Sequence, residues 1–484
     1  MSEIPSNWVE VPLGELGEWR GGGTPSKSNS DFWTDGEIPW VSPKDMKRPV
    51  IDDALDHITE QAIKGSATQL VPEGSVLLVT RSGILQHTLP VAVNSREVAI
   101  NQDIKALTPA SGADPNFIAA QLKSSASDIL RSCAKSGTTV DSIDFDRLKT
   151  FPVVLPPALE QRRIVAKLDS LRDRSARARQ ELDRIPKLIE RYKQAIIAKA
   201  FSGELTADWR KHHSNVAPLK PLLDAHRKAI KRNFLSPSAS GNSELNLLPK
   251  GWSWLQAQDA TEPDAEIVYG IVQPGPKLET GIPYVRGMDI QHGEIRVDQL
   301  MKTSSAIAER YSRAALRGGD VLLGIIRETK VAIVPKSLDG ANITQGTARI
   351  RPADFISSEY LAYWLRSNFA QMWLHDHYRG IDMPGLNLRD VRRLPVPVAP
   401  PGEQIEIVRL VSLSLNWLKR VSTEHSHADH LLPKLDEAIL AKAFRGELVP
   451  QDPNDEPASA LLARIRTERG EGNDQTRRRR ARNS

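Results

Sequence analysis

Two clusters in this 484-residue sequence have residue types and spacing that could do chemistry. Asp320 precedes Glu328-Thr329-Lys330, an acid followed by Glu-x-Lys. Two carboxylates and a lysine could hold Mg²⁺ and activate a water for hydrolysis. The segment that matches it earlier in the chain carries Ser75 and Ser82 instead of acids. The plainer reading is therefore a chance spacing. His425, His427 and His430 could offer imidazoles to a metal. On a helix the first and last of these stand about 140° apart, so they share no face. Read plainly, they are one polar seam residue beside solvated neighbours. No G-x-x-x-x-G-K-[ST] phosphate loop is present, and no Gly-rich loop is joined by an Asn- or Asp-Pro-Pro-aromatic motif. Neither ATP hydrolysis nor adenine methylation has its usual residues here. No catalytic residue, cofactor or metal ligand is assigned to this chain.

What the chain does carry is a duplicated scaffold. Residues 196–205 read IIAKAFSGEL and residues 439–448 read ILAKAFRGEL, identical at eight of ten positions and offset by 243. The same offset carries Glu160-Gln161 onto Glu403-Gln404 and Ile164-Val165 onto Ile407-Val408. With Ile164 at a heptad a position, the first seam runs through Ile164, Leu168, Leu171, Ser175, Ala178, Leu182, Ile185, Ile189, Tyr192, Ile196 and Lys199. The second runs through Ile407, Val411, Ser414, Leu418, Val421, His425, Ala428, Leu432, Leu435, Ile439 and Lys442. Such an apolar repeat with polar flanks predicts two coiled-coil helices of roughly 60 Å, each the simplest partner for the other. Gly203 and Gly446 sit where left-handed C-terminal caps belong. Pro186 and Pro433, four residues out of register with each other, predict a break or bend in both helices.

Composition bounds the rest. The length suits three or four domains. The single cysteine, Cys133, excludes an internal disulfide and suggests a reducing, cytoplasmic setting. The N-terminus shows no secretory signal, and no run approaches the 18 apolar residues a membrane span needs. The net charge of +5 comes from residues 464–484, where eight arginines face Glu468, Glu471 and Asp474. The body is neutral, so any nucleic-acid surface on it must be a local patch. The arginine-rich tail could bind polyanions or simply be solvated.

The expected fold class is α+β: two globular α/β domains separated by two long antiparallel helices in a coiled coil, with an internal pseudo-two-fold repeat. The expected divisions are residues 1–157 (first globular domain), 158–210 (first long helix) and 211–248 (linker with a short helix at 221–232). Residues 249–399 follow as the second globular domain, then 400–448 as the second long helix, and 449–484 as a short helix and basic tail. In the first domain, apolar runs between turn residues predict strands at Ile38–Val41, Ser75–Thr80, Leu89–Val93 and Ile104–Leu107. Asp114 followed by Pro115 predicts the start of a helix over 115–134. The second domain echoes the first weakly. GEIPWVSPKDM (36–46) matches TGIPYVRGMDI (280–290), and VPEGSVLLVTRS (71–82) matches LRGGDVLLGIIRE (316–328).

This order resembles the specificity subunits of type I restriction–modification systems: a globular unit, PP-x-x-EQ-x-x-IV, a long helix, AKAF-x-GEL, then the same order again with PP-x-EQ-x-x-IV. GGTP…GEIPW-x-x-x-x-D at Gly22–Asp45 is similar to the start of that family's target-recognition domains. The resemblance covers roughly residues 7–470. It implies a non-catalytic, cytoplasmic subunit whose two domains each read one half of a bipartite, asymmetric site in double-stranded DNA. The helix pair would set the spacer and dock two methyltransferase subunits, and through them restriction/translocase subunits. S-adenosylmethionine, ATP and Mg²⁺ would belong to those partners. A coiled-coil adaptor joining two protein-binding domains, without DNA, is the alternative from another class.

Base reading needs Arg or Lys for guanine and Asn or Gln for adenine, with other side chains on phosphates. The candidates are Lys44, Lys47, Arg81 and Ser82 in the first domain and Arg286, Arg327 and Lys330 in the second. The alternative for each is a solvated surface residue. Gly21–Gly23 could let backbone approach phosphate, or make a plain turn. Trp40 and Tyr284 occupy equivalent places and read as core aromatics or as stacking platforms. For partner subunits the candidates are Ala198, Phe201, Ala441 and Phe444, with packing inside the chain as the alternative.

Overall fold

The computed structural model describes residues 4–135, 141–213, 217–230, 234, 247–380 and 382–469. Residues 470–484, with most of the arginine-rich tail, lie outside them. By packing the chain divides into two units, residues 1–183 with 427–484, and residues 184–426. Each takes one globular domain together with a stretch of both long helices.

In the first unit an apolar run, Val76–Val79, is buried along its whole length. It lies at the centre of a five-stranded sheet in the order Gly17–Gly21, Ile104–Pro109, Val76–Val79, Val91–Asn94, Val50–Ile51. A strand buried on both faces has no use for alternation, which is why it reads as continuous Val and Leu. A second sheet places Ile38–Val41 between Asp56–Ile58, antiparallel, and Val98–Ile100, parallel. The Asp114 side chain caps the helix Pro115–Ser124 by accepting from the amides of Asn116 at 2.8 Å and Phe117 at 3.1 Å. The helix expected over 115–134 is in fact two, Pro115–Ser124 and Ala126–Ser132, parted at Ser125. Adjacent serines compete for backbone hydrogen bonds and hold a helix poorly. A helix over residues 458–469 adds Ala458, Leu461, Leu462 and Ile465 to the same core.

The second unit repeats this plan. Ile282–Val285 pairs antiparallel with Met301–Thr303 and parallel with Asn342–Ile343, as Ile38–Val41 does with its neighbours. Val321–Gly324, also buried throughout, lies between Thr347–Ile350 and Val331–Ile333. One addition is a hairpin of Ile290–Gln291 and Glu294–Ile295. The linker helix spans Leu219–Ala229.

The first long helix is broken, running Ala158–Leu182 and then Ile185–Ser202. Pro186 falls in the first turn of the second piece, where a missing N–H costs nothing. The second long helix runs Pro401–Phe444 without interruption, with Pro433 inside it. The expectation was a break or bend in both copies; the first is broken before Pro186, and the second stays helical through Pro433.

Within each unit the two helices run antiparallel. In the first, Ile164 and Leu168 share a cluster with Ala443, Ile439 and Phe444, while Ser175 donates to Asp436 at 2.8 Å. In the second, Ile197, Ala200 and Phe201 share a core with Ile407 and Val411. Of the heptad seam, Ile164, Leu168, Ile189, Ile407, Val411 and Leu418 are buried. Leu171, Leu182, Leu432 and Ile439 are half-buried. Tyr192 and Leu435 are 57% and 51% exposed, and Lys199 and Lys442 are exposed too. Ile197, Ala200 and Ala443 are buried instead. A straight helix drifts about 20° per heptad from a 3.5-residue repeat, so the strict register fails after a few turns.

Candidate nucleic-acid interface

In the first unit the chain leaves Ile38–Val41 through a turn built on Asp45. Its carboxylate accepts from the Ser42 amide at 2.9 Å, the Ser42 hydroxyl at 2.8 Å and the Leu55 amide at 3.1 Å. This turn presents Lys44 and Lys47 to a cleft of about 730 Å³, which Ser82 also lines. Lys44 bonds Asp56 at 2.8 Å, and that bond raises its ammonium above the usual lysine range. Ser82 caps the short turn Gly83–Gln86, its hydroxyl accepting from Ile84. Arg81 stands apart from the cleft lining, 61% exposed and 3.2 Å from Asp103. The structure thus brings together three of the four candidates of this domain. It adds Arg48 and Lys123, which sequence reasoning missed. The available signal was Lys123 ending the helix that follows Asp114.

The second unit closes the equivalent turn differently. Asp289, the counterpart of Asp45, accepts from the amide, Nε and Nη2 of Arg286 at 2.9, 3.0 and 2.8 Å. Arg286 thus closes its own turn, doing what Ser42 does in the first unit, with its guanidinium paired to Asp289. Arg327 is exposed, with a left-handed backbone (φ 67°), and its amide donates to Pro384 at 2.8 Å. A non-glycine residue held there stores strain, a feature that clusters at functional loops. Lys330 pairs with Glu328 at 3.1 Å.

The hydrolytic cluster does not assemble. Asp320 is buried and held by Arg351 at 2.7 and 2.8 Å and by the Arg317 amide at 2.8 Å, while Glu328 is 70% exposed. Among the described residues no group of three or more His, Cys, Asp or Glu could hold a metal ion.

Trp40 and Tyr284 are both buried, and the Trp40 indole donates to the Gly23 carbonyl at 3.0 Å, so both are core aromatics. Gly22 is neither a phosphate loop nor a plain turn. A Cβ there would meet the Ile100 and Asn101 carbonyl oxygens at 2.1 Å. Gly270 approaches Ile343 as closely in the second unit, at 1.8 Å.

The repeated Glu-Gln seats each long helix on its domain. The Gln161 amide donates to Pro156 at 2.9 Å and accepts from Asp114 at 2.8 Å. Gln404 donates to Phe355 and Ala399 at 2.9 and 2.8 Å and accepts from Ser357 at 2.9 Å. Of the partner-facing candidates, Ala198 is exposed and Ala441 half-buried. Phe201 is buried against Tyr360 and Trp364, each ring at 5.1 Å, so it packs inside the chain. Phe444 is half-buried against Phe117 at 5.4 Å. No helix among the described residues is long and apolar enough to cross a membrane.

Residues 5–187 match the family model described as the type I restriction modification DNA specificity domain. The specificity subunit of the type I restriction enzyme EcoBI from Escherichia coli is 30% identical over 344 residues, covering 69% of this chain and 68% of that one. The EcoKI specificity subunit from Escherichia coli strain K12 is 24% identical over 96% of both chains. The crystal structure of the HsdS subunit from Thermoanaerobacter tengcongensis shares the fold, with a TM-score of 0.59 at 20% identity over 92% of this chain and 98% of that one. By the duplicated helix-and-domain plan, and by that identity over two thirds of both sequences, the chain belongs to the family of type I restriction–modification DNA specificity subunits.

Proposed function

We propose that this chain is the DNA-recognition subunit of a type I restriction–modification complex and does no chemistry itself. Each globular domain reads one half of a bipartite, asymmetric site in double-stranded DNA. The helix pair sets the spacer and docks two methyltransferase subunits, with restriction/translocase subunits joining through them. S-adenosylmethionine, ATP and Mg²⁺ act in those partners, in the cytoplasm. The observation that carries this reading is a common frame with an unlike surface. Ile38–Val41 and Ile282–Val285 have the same two kinds of neighbour, yet the turn that follows is closed by Ser42 in one and by Arg286 in the other. Two readers of one half-site would keep their surfaces alike; readers of two different half-sites must change them while keeping the frame. Arg81, Arg327 and Lys330, on loops that follow the buried strands, are offered as base or phosphate contacts together with Lys44 and Lys47.

The test is methylome sequencing of a strain carrying the chain and its partner subunits, before and after residues 7–157 are exchanged for those of another family member. The expected result is a change in one half of the methylated motif with the other half kept. An unchanged motif, or a change in both halves, sinks the assignment.

A further inference from the structure

The offset of 243 places Lys123 on Arg366, at the ends of matching helices in the two units. Their surroundings differ. Arg366 donates from Nη2 to the Gly293 and Val331 carbonyls, both at 3.1 Å. Gly293 lies at the tip of the hairpin Ile290–Ile295, and a Cβ there would come within 2.7 Å of that guanidinium. The hairpin thus packs against Arg366 and takes one of the two hydrogen bonds of its Nη2. The first unit has no hairpin between Asp45 and the strand Val50–Ile51. Met46, Lys47, Arg48 and Pro49 instead line the cleft that Lys123 also lines.

That cleft is strongly cationic. Lys44, Lys47, Arg48 and Lys123 line it, and no acidic side chain does. Lys44 and Arg48 have carboxylates in reach, Asp56 at 2.8 Å and Asp52 at 3.2 Å. Among the described residues Lys47 and Lys123 have none. Lys123 is half-buried, and burial together with the charge of Arg172 holds its ammonium below the usual lysine range. A partly desolvated cation without a counter-charge is costly, and an arriving anion relieves that cost.

We propose that this cleft seats a backbone phosphate of the bound DNA, with Lys123, Lys47 and Arg48 as its donors, and that the second domain has no counterpart because its hairpin occupies the place. The inference rests on the DNA-recognition reading. The two domains then hold DNA unequally: the first adds a sequence-independent grip that the second lacks. Phosphate contacts position a protein without reading sequence. Each charge neutralised contributes about 0.9 to the slope of log affinity against log salt, which is roughly fivefold in affinity at 0.15 M salt.

The experiment uses the full chain assembled with its methyltransferase subunits and compares K123M with R366M. For K123M we expect roughly fivefold weaker binding to a cognate and to a scrambled duplex alike, with a salt slope shallower by about 0.9. The methylated motif should be unchanged and the melting temperature equal or higher. R366M should do the reverse, melting lower because the half-buried Gly293 carbonyl and the carbonyl of buried Val331 lose their donor, with the salt slope kept. Wild-type affinity and slope in K123M overturn the proposal. So does an altered methylated motif, which would make Lys123 a base reader, or a lowered melting temperature with an unchanged slope, which would make it structural. If the wild-type complex shows no sequence-specific binding at all, the recognition reading falls first and takes this one with it.

Discussion

Glu403 ties three separate segments of the second unit, and replacing it with alanine should cost about 3–5 kcal/mol. The magnitude follows from its partners. Its side chain is 2% exposed. One oxygen accepts from the Thr206 hydroxyl at 2.6 Å and from the Arg210 guanidinium; the other accepts from the Trp252 indole at 2.8 Å. All three bonds end on the charged carboxylate, and at about 1.5 kcal/mol each, the lower end for bonds to a charged group, they sum to roughly 4.5. Arg210 also donates to the Gly203 carbonyl at 2.6 Å, at the end of the first long helix. The carboxylate therefore joins the start of one long helix, the segment after the other, and the entry to the second domain. At about 2–4 °C per kcal/mol for a unit of this size, the loss is roughly 12 °C. Scanning calorimetry of the full chain is the assay, with E403A, R210M and the double variant forming a cycle. The expected coupling is about 2 kcal/mol, within the usual range for residues in one network. A drop below about 1 kcal/mol in E403A, or additive single effects, would refute the reasoning.

The first unit offers a contrast at Glu160, which is buried, accepts from Gln451 at 2.6 Å, and leaves the local ion pair to Arg163 and Asp455 at 2.5 Å. Burial raises the Glu160 carboxyl above its ordinary value. The folded chain then holds this proton more tightly than the unfolded one, so the contribution to stability is fullest below the unfolded pKa and is lost as pH rises through the folded one. E160Q should flatten that decline in a series of urea midpoints against pH; an unchanged decline counts against it. G22A and G270A should each destabilise by several kcal/mol, since the added carbon meets backbone oxygen at 2.1 and 1.8 Å; soluble variants melting like wild type would contradict this. I164A should cost about 2–5 kcal/mol and L435A under about 0.5, read as denaturant midpoints. Equal effects would restore the strict heptad register.

Several features were legible because their causes are local. Gly203 and Gly446 have φ of 79° and 75°, the left-handed caps expected from Gly-Glu-Leu ending an apolar helix. Ile38–Val41 forms with the bounds its composition suggests, and Asp114 caps the helix that Pro115 opens. The helix seams were legible in part, with Ile164, Leu168 and Ile189 buried but Tyr192 and Lys199 exposed, because a sequence repeat carries no record of how far a straight helix drifts from it.

The sequence by itself determined the duplication, the glycine ends of the two long helices and the central strands, since these follow from backbone conformation and apolar patterning over a few neighbouring residues. Only the tertiary structure decided which charges are free to meet a ligand. Lys123 and Arg366 hold the same place in the repeat, yet one lines an open cleft and the other is covered by a hairpin more than 70 residues away in the chain. Arg286 and Asp320 looked equally available and are both committed, one to Asp289 and the other to Arg351. Hydrogen bonds and contact ion pairs need partners within about 3–4 Å, and which groups come that close is settled by packing between segments that the sequence keeps far apart.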